Sequence, residues 1–168
     1  MEKNILEGRI KSYLEGHNAM SLSTLHQGQA HAASVFYVNT GFDLYFISSP
    51  SSRHGEDLAS NAQAAATINE DYRNWADIKG LQLSGKVSQL GRLADHSEIA
   101  AAFTQKFPDV GRFFRKPDEM SDAMTSKVAK VLCYRFRPSH IFYIDNSLGF
   151  GHREELVLSD SKNFEDRS

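Results

Sequence analysis

The sequence has one cysteine, one tryptophan and four prolines in 168 residues. A lone thiol, Cys133, cannot close a disulfide within the chain, and it rules out a Cys-x-x-Cys metal or redox pair. No apolar run approaches the roughly 20 residues that cross a bilayer, and the start MEKNILEGRIKS lacks the apolar core of a signal peptide. These absences lead to the expectation of a cytoplasmic protein that does not contact membrane. Charge of one sign is also missing: 19 Lys and Arg face 21 Asp and Glu, for a net charge of −2. A dominant nucleic-acid surface would be basic. The single basic cluster, Lys106, Arg112, Arg115 and Lys116, is interrupted by Asp109, Asp118 and Glu119 and reads as a solvated face. There is no Walker-type phosphate loop, no HExxH and no nucleophile elbow. Gly149-Phe150-Gly151 lacks the third glycine of a dinucleotide fingerprint. Among His17, His26, His31, His54, His96, His140 and His152, no pair has the helical spacing of a zinc site, and no metal is expected.

What is present is an ordinary globular composition, 40% hydrophobic and 24% charged, in a length that suits one domain over residues 1–168. Leu6, Ile10, Tyr13 and Leu14 recur at helical spacing and predict an N-terminal helix over 4–15. Strands are expected over 20–25, 30–38, 44–47, 64–68 and 81–90. Asn39-Thr40-Gly41 suits a hairpin turn. Ile99, Phe103 and Phe107 mark a helix over 97–107. Residues 113–128 read as irregular, then helical. Two apolar runs in 131–144 flank Pro138, which predicts a strand broken at the proline. A last short strand is expected over 154–158, followed by a loose polar tail, 159–168. Cys133 sits between apolar residues as a core position. Short strands with hairpin signals and peripheral helices predict a mainly β, α+β domain built as a barrel or a strongly bent sheet. Strand–helix alternation is absent, which excludes a doubly wound sheet.

Residues 44–62, LYFISSPSSRHGEDLASNA, organise the rest. An apolar strand stops in Ser48–Ser52 with Pro50, and a short helix follows from Arg53. Ser51 or Ser52 is positioned as N-cap, and Glu56 and Asp57 favour the first turns. A helix start bearing a fixed cation suits a phosphate; an ordinary strand–turn–helix with a surface arginine fits the pattern as well. Trp75, in a polar connection, reads either as a ring covering the barrel edge or as a stacking wall for a planar ligand. Lys79 precedes a strand that carries Gln82 on its wet face, where both side chains can reach a ligand.

LYFISSPSSRHGEDLASNAQAAATI followed by WADIKGLQLSGKV resembles the pyridoxamine 5'-phosphate oxidase-like, FMN-binding split-barrel proteins. The family pattern is an apolar strand, a hydroxyl residue, Ser-Arg-Lys, a helix, an Asn-Pro and a strand ending in glycine. Phe46-Ile47-Ser48, Ser52-Arg53-His54, Asn61-Ala62 and Gly85 fill those places, with His54 where lysine is common. Ile144–Gly151, IDNSLGFG, resembles a small bacterial branch of the same superfamily. The resemblance implies a homodimer of six-stranded split barrels with FMN between the subunits. Arg53 would hold the flavin phosphate, with Ser48 donating a hydroxyl and Ser52 and His54 beside it. Ile47 would lie along the isoalloxazine through its backbone, near Ser34 of the second strand. Trp75, Lys79 and Gln82 would approach the ring, the last two from the partner subunit. Pyridoxamine phosphate oxidases also carry a C-terminal segment rich in arginine and tryptophan; here no tryptophan follows Trp75, so pyridoxamine phosphate is not the expected substrate. The implied function is an FMN-dependent oxidoreductase with a small-molecule substrate, and no side chain is singled out as its acid or base. The alternatives are a non-catalytic binding protein for flavin or haem, with His140 or His152 as the haem ligand, and a dimeric module with a decayed flavin site.

Overall fold

The computed structural model describes residues 1–110, 121, 126 and 129–158. The expected tail 159–168, and all of the expected stretch 113–128 except 121 and 126, lie outside the described residues.

The amphipathic start forms α1 (Lys3–Gly16), which buries Leu6, Ile10 and Leu14. Two hairpin strands follow, β1 (Ala19–His26) and β2 (Gln29–Phe36). Next come β3 (Val38–Thr40), β4 (Asp43–Ser48), α2 (Arg53–Ser60) and β5 (Gln63–Asn69). The second half holds β6 (Lys79–Gly91), α3 (Ser97–Lys106), β7 (Leu132–Asp145) and β8 (Arg153–Val157). All strands join one antiparallel, unclosed sheet in the order β2-β1-β5-β6-β7-β4-β3, with β8 also on β7. The class is the expected mainly β split-barrel type; the described residues form eight strands where six were expected. One cause is Tyr37. Its side chain is fully buried and its hydroxyl donates to the Leu14 carbonyl, so the expected strand 30–38 divides there and β3 leaves to pair with β4.

Pro138 does not break its strand. β7 pairs with β6 along nearly its whole length and changes its other neighbour at the proline, from β4 (132–136) to β8 (140–144). A residue without an N–H is tolerated where no second ladder needs it. The register skips one residue here, from Ser84↔His140 to Gly85↔Pro138. Strand side chains alternate between faces, so this bulge lets Phe136 and Ile141, an odd number apart, both enter the core. The bulge brings backbone so close to Gly85 that a Cβ there would lie 2.1 Å from the Arg137 carbonyl oxygen.

The main core lies between α1 and the inner faces of β1, β5, β6, β7 and β4. A second cluster under α3 gathers Val38, Leu93, Phe103 and Cys133, whose thiol pKa burial pushes up to about 11. Among the described residues no helix is long and apolar enough to cross a membrane.

Candidate functional site

The strand–turn–helix at β4–α2 is tightly folded. Ser52 is the N-cap: its hydroxyl accepts from the Gly55 N–H at 3.2 Å and donates to the Ser49 carbonyl at 2.7 Å. A Cβ at Gly55 would meet the Ser49 and Pro50 carbonyl oxygens at 2.6 and 2.8 Å, so only glycine allows the turn to lie on the helix start. The first N–H groups of a helix have no acceptor within it. Those of Arg53 and His54 therefore begin α2 beside Ser48, whose Oγ is 2.6 Å from His54 Nε2 and 3.3 Å from Ser52 Oγ.

Arg53 is aimed from below. Its Nε donates to Asp57 Oδ1 at 3.0 Å, and Thr24 of β1 donates to Asp57 Oδ2 at 2.7 Å. Asp57 is 2% exposed, and these bonds, with Thr24 the largest influence, hold its carboxyl below the usual carboxylate range. The two terminal nitrogens of Arg53 make no hydrogen bond within the described residues, and the side chain is about half exposed (47%). Burial, followed by the charge of nearby His31 on β2, holds His54 below the usual imidazole range against the pull of Asp57. At neutral pH the site therefore presents one arginine fork, one hydroxyl, helix-start N–H groups and a neutral imidazole. That set fits a phosphate group.

The other sequence-predicted residues lie elsewhere. Ser34 and Gln82 share one row across the sheet, Ser34–Ser21–Thr67–Gln82, on its exposed face. Ladder spacing puts them about 14 Å apart. On β2 that face is opposite to the one carrying His31, so within one chain Ser34 does not join the Ser48–His54 group. Ile47 turns its side chain to the cluster under α3. Lys79 opens β6 and reaches Asp145 of its own chain, at 3.7 Å. Trp75 is 57% exposed and meets Phe150, 84% exposed, edge to face at 5.4 Å between centroids. Lys79 lines two hollows. One, about 370 Å³, is lined by Thr67, Ile78 and Gln82. The other, about 760 Å³, is lined by Arg9, Tyr13, Tyr72, Tyr143 and Asp145. Of the two histidines considered for haem, His140 places Nδ1 2.9 Å from Glu155, and His152 places Nε2 2.9 Å from Glu154.

Sequence reasoning missed Thr24, His31 and Asn146. The Arg53–Asp57 pairing was readable from its four-residue spacing, but the contributions of Thr24 and His31 depend on how the β1–β2 hairpin packs on α2. Asn146 ties the Trp75 turn to the IDNSLGFG loop, donating to the Trp75 carbonyl at 2.8 Å and accepting from the Gly151 N–H at 3.1 Å.

The fold defines a split-barrel domain of the pyridoxamine 5'-phosphate oxidase-like type. Residues 6–132 match the family model described as pyridoxamine 5'-phosphate oxidase, and the chain belongs to that family. A UPF0306 protein of Enterobacter sp. (strain 638) is 26% identical over 150 residues, covering 86% of this chain and 91% of its own. Among solved structures, ChuZ of Campylobacter jejuni superposes with a TM-score of 0.72 at 16% identity, over 94% of this chain and 61% of that one. HutZ of Vibrio cholerae, a haem storage protein, gives 0.62 at 17% identity, over 90% and 94%.

Proposed function

We propose that the protein is an FMN-binding flavoprotein, working as a homodimer, that performs oxidoreductase chemistry on a small molecule other than pyridoxamine phosphate. The observation that carries this reading is the Arg53 fork. It belongs to the first residue of α2, is held at Nε by a buried carboxylate and leaves its terminal nitrogens without a partner among the described residues, on the helix whose start carries the Ser48–His54 contact. Family membership makes FMN the phosphate-bearing group to expect there. When bound, FMN supplies hydride chemistry. The chain's own residues hold its phosphate and screen its ring from water.

A second copy supplies what one chain keeps apart. The exposed sheet face carries small residues with Leu25, Phe36 and Val157 exposed among them. An apolar face of that kind favours burial against a partner. Covered by a second subunit, Ser34 and Ile47's strand would flank the ring with Trp75 near it, and Lys79 and Gln82 would reach it from the partner.

The test is an FMN titration followed by flavin fluorescence and visible spectrum, alongside sedimentation. Saturable binding near one FMN per chain in a dimer supports the reading; a monomer that ignores FMN overturns it.

A second reading, haem binding, has one observation in its favour. With Nδ1–H donated to Glu155, His140 keeps an Nε2 lone pair on the exposed face, the arrangement used by metal-ligating histidines. His152 engages its Nε2 with Glu154. A Soret band on haemin addition that is lost in His140→Ala but kept in His152→Ala would favour haem.

A further inference from the structure

We propose that His54 makes the anion site proton-linked: binding of the FMN phosphate draws a proton onto its imidazole, so that affinity rises as pH falls through the neutral range. This rests on β4–α2 being the flavin phosphate site, and it adds a regulation of that site which an always-charged lysine in the same place would not give.

Three elements surround the His54 ring. From β4, Ser48 Oγ lies 2.6 Å from Nε2, and the Phe46 ring stands 6.4 Å away between centroids. From β2, the charge of His31 opposes protonation of the ring. From α2 itself comes Asp57, which is bonded to the permanently charged Arg53. The Asp57 carboxylate has both oxygens committed, one to Arg53 and one to Thr24, which limits it as a counter-ion for His54. The free site therefore favours the neutral ring. A phosphate dianion placed at the same helix start reverses that balance, because it supplies the missing opposite charge.

The Ser48 contact doubles the effect of the proton. With the neutral ring protonated at Nδ1, Nε2 can only accept, so it takes the Ser48 hydroxyl hydrogen and keeps it from the ligand. Once Nε2 is protonated it donates to Ser48 Oγ, and the hydroxyl hydrogen is free to turn to the phosphate. One proton thus adds a positive charge and redirects the Ser48 hydroxyl from the ring to the phosphate. Binding and protonation are reciprocal, as linkage requires.

The test is the FMN dissociation constant between about pH 6 and pH 8.5 at fixed ionic strength, for the native protein, His54→Gln, His54→Lys and His31→Gln. A phosphate monoester titrates near pH 6 on its own account, so the informative quantity is the difference between variants. The native constant should weaken by up to roughly tenfold per pH unit above neutrality. His54→Gln and His54→Lys should share one shallower profile, with His54→Lys the tighter binder at the alkaline end. His31→Gln, by removing the like charge, should move the native profile to higher pH. Calorimetry in two buffers of different ionisation enthalpy should show proton uptake in the native protein, reduced in both His54 variants. Parallel native and His54→Gln profiles with equal proton uptake would overturn the proton link while leaving the phosphate site in place. Failure of the native protein to bind FMN at any pH would overturn the site itself.

Discussion

Arg53 and Asp57 stand one helical turn apart on α2 and are joined by a 3.0 Å bond from Nε to Oδ1, with the carboxylate almost wholly buried and the guanidinium half exposed. A buried acceptor holding an exposed donor sets the donor's direction. If Arg53 holds the phosphate, as proposed, Asp57 is its positioning residue. In Asp57→Asn the shape is kept and the charge is lost, and Arg53 is freed to swing. FMN affinity should fall about tenfold, the scale of one charge-assisted bond. Riboflavin affinity, which involves no phosphate, should be unchanged.

The same carboxylate gives the fold an acid-sensitive element. Its folded pKa is depressed, through Thr24 first and Arg53 next. The stability it contributes is present above the unfolded value of about 3.9 and is lost as pH falls through the lower folded value. Melting curves should show Asp57→Asn less stable than native at neutral pH. The gap should narrow below about pH 4; a gap independent of pH would contradict the assignment.

Gly85 faces the bulge of β7 at a distance no side chain can share. Gly85→Ala must push the Arg137–Pro138 backbone away and should cost about 2 kcal/mol or more in a denaturant midpoint analysis, at the upper end of overpacking effects. An unchanged midpoint would mean that the bulge can relax freely.

Asn146 bridges two segments through both ends of its amide. Asn146→Ala removes the partner of the Gly151 N–H and leaves the Trp75 carbonyl only the Ile78 N–H at 3.4 Å, at a cost of about 1 kcal/mol, the net worth of an ordinary hydrogen bond. Because Trp75 is the single tryptophan, its emission reports this turn alone. The variant should show a red-shifted spectrum and stronger acrylamide quenching, and Phe150→Ala should reproduce the shift without the stability loss.

Elements with strong periodicity were legible in the sequence. The helix read from Leu6, Ile10 and Leu14, and the alternation of Leu81, Leu83 and Val87, both reappear as buried faces. The Ser52 cap and the helix after it were also readable, because capping chemistry is local. The division of the second strand at Tyr37 was not, since its hydroxyl finds Leu14, 23 residues away. Nor was the continuity of β7 through Pro138, which depends on which neighbour strand is absent there. In the candidate site, Ser48 lies against Ser52 and His54, while Arg53 turns to Asp57. Their tuning by Thr24 and His31 comes from β1 and β2, more than 20 residues earlier in the chain, and no local pattern encodes it.

The central claim is that Arg53 holds a flavin phosphate. Its most direct measurement is the pair of dissociation constants for FMN and riboflavin, in the native protein and in Arg53→Ala. The account predicts that native protein prefers FMN and that Arg53→Ala loses about 2–3 kcal/mol of FMN affinity, roughly 30- to 150-fold, while riboflavin is bound as before. Equal FMN affinity in the two proteins, or an equal loss for both ligands, would contradict it.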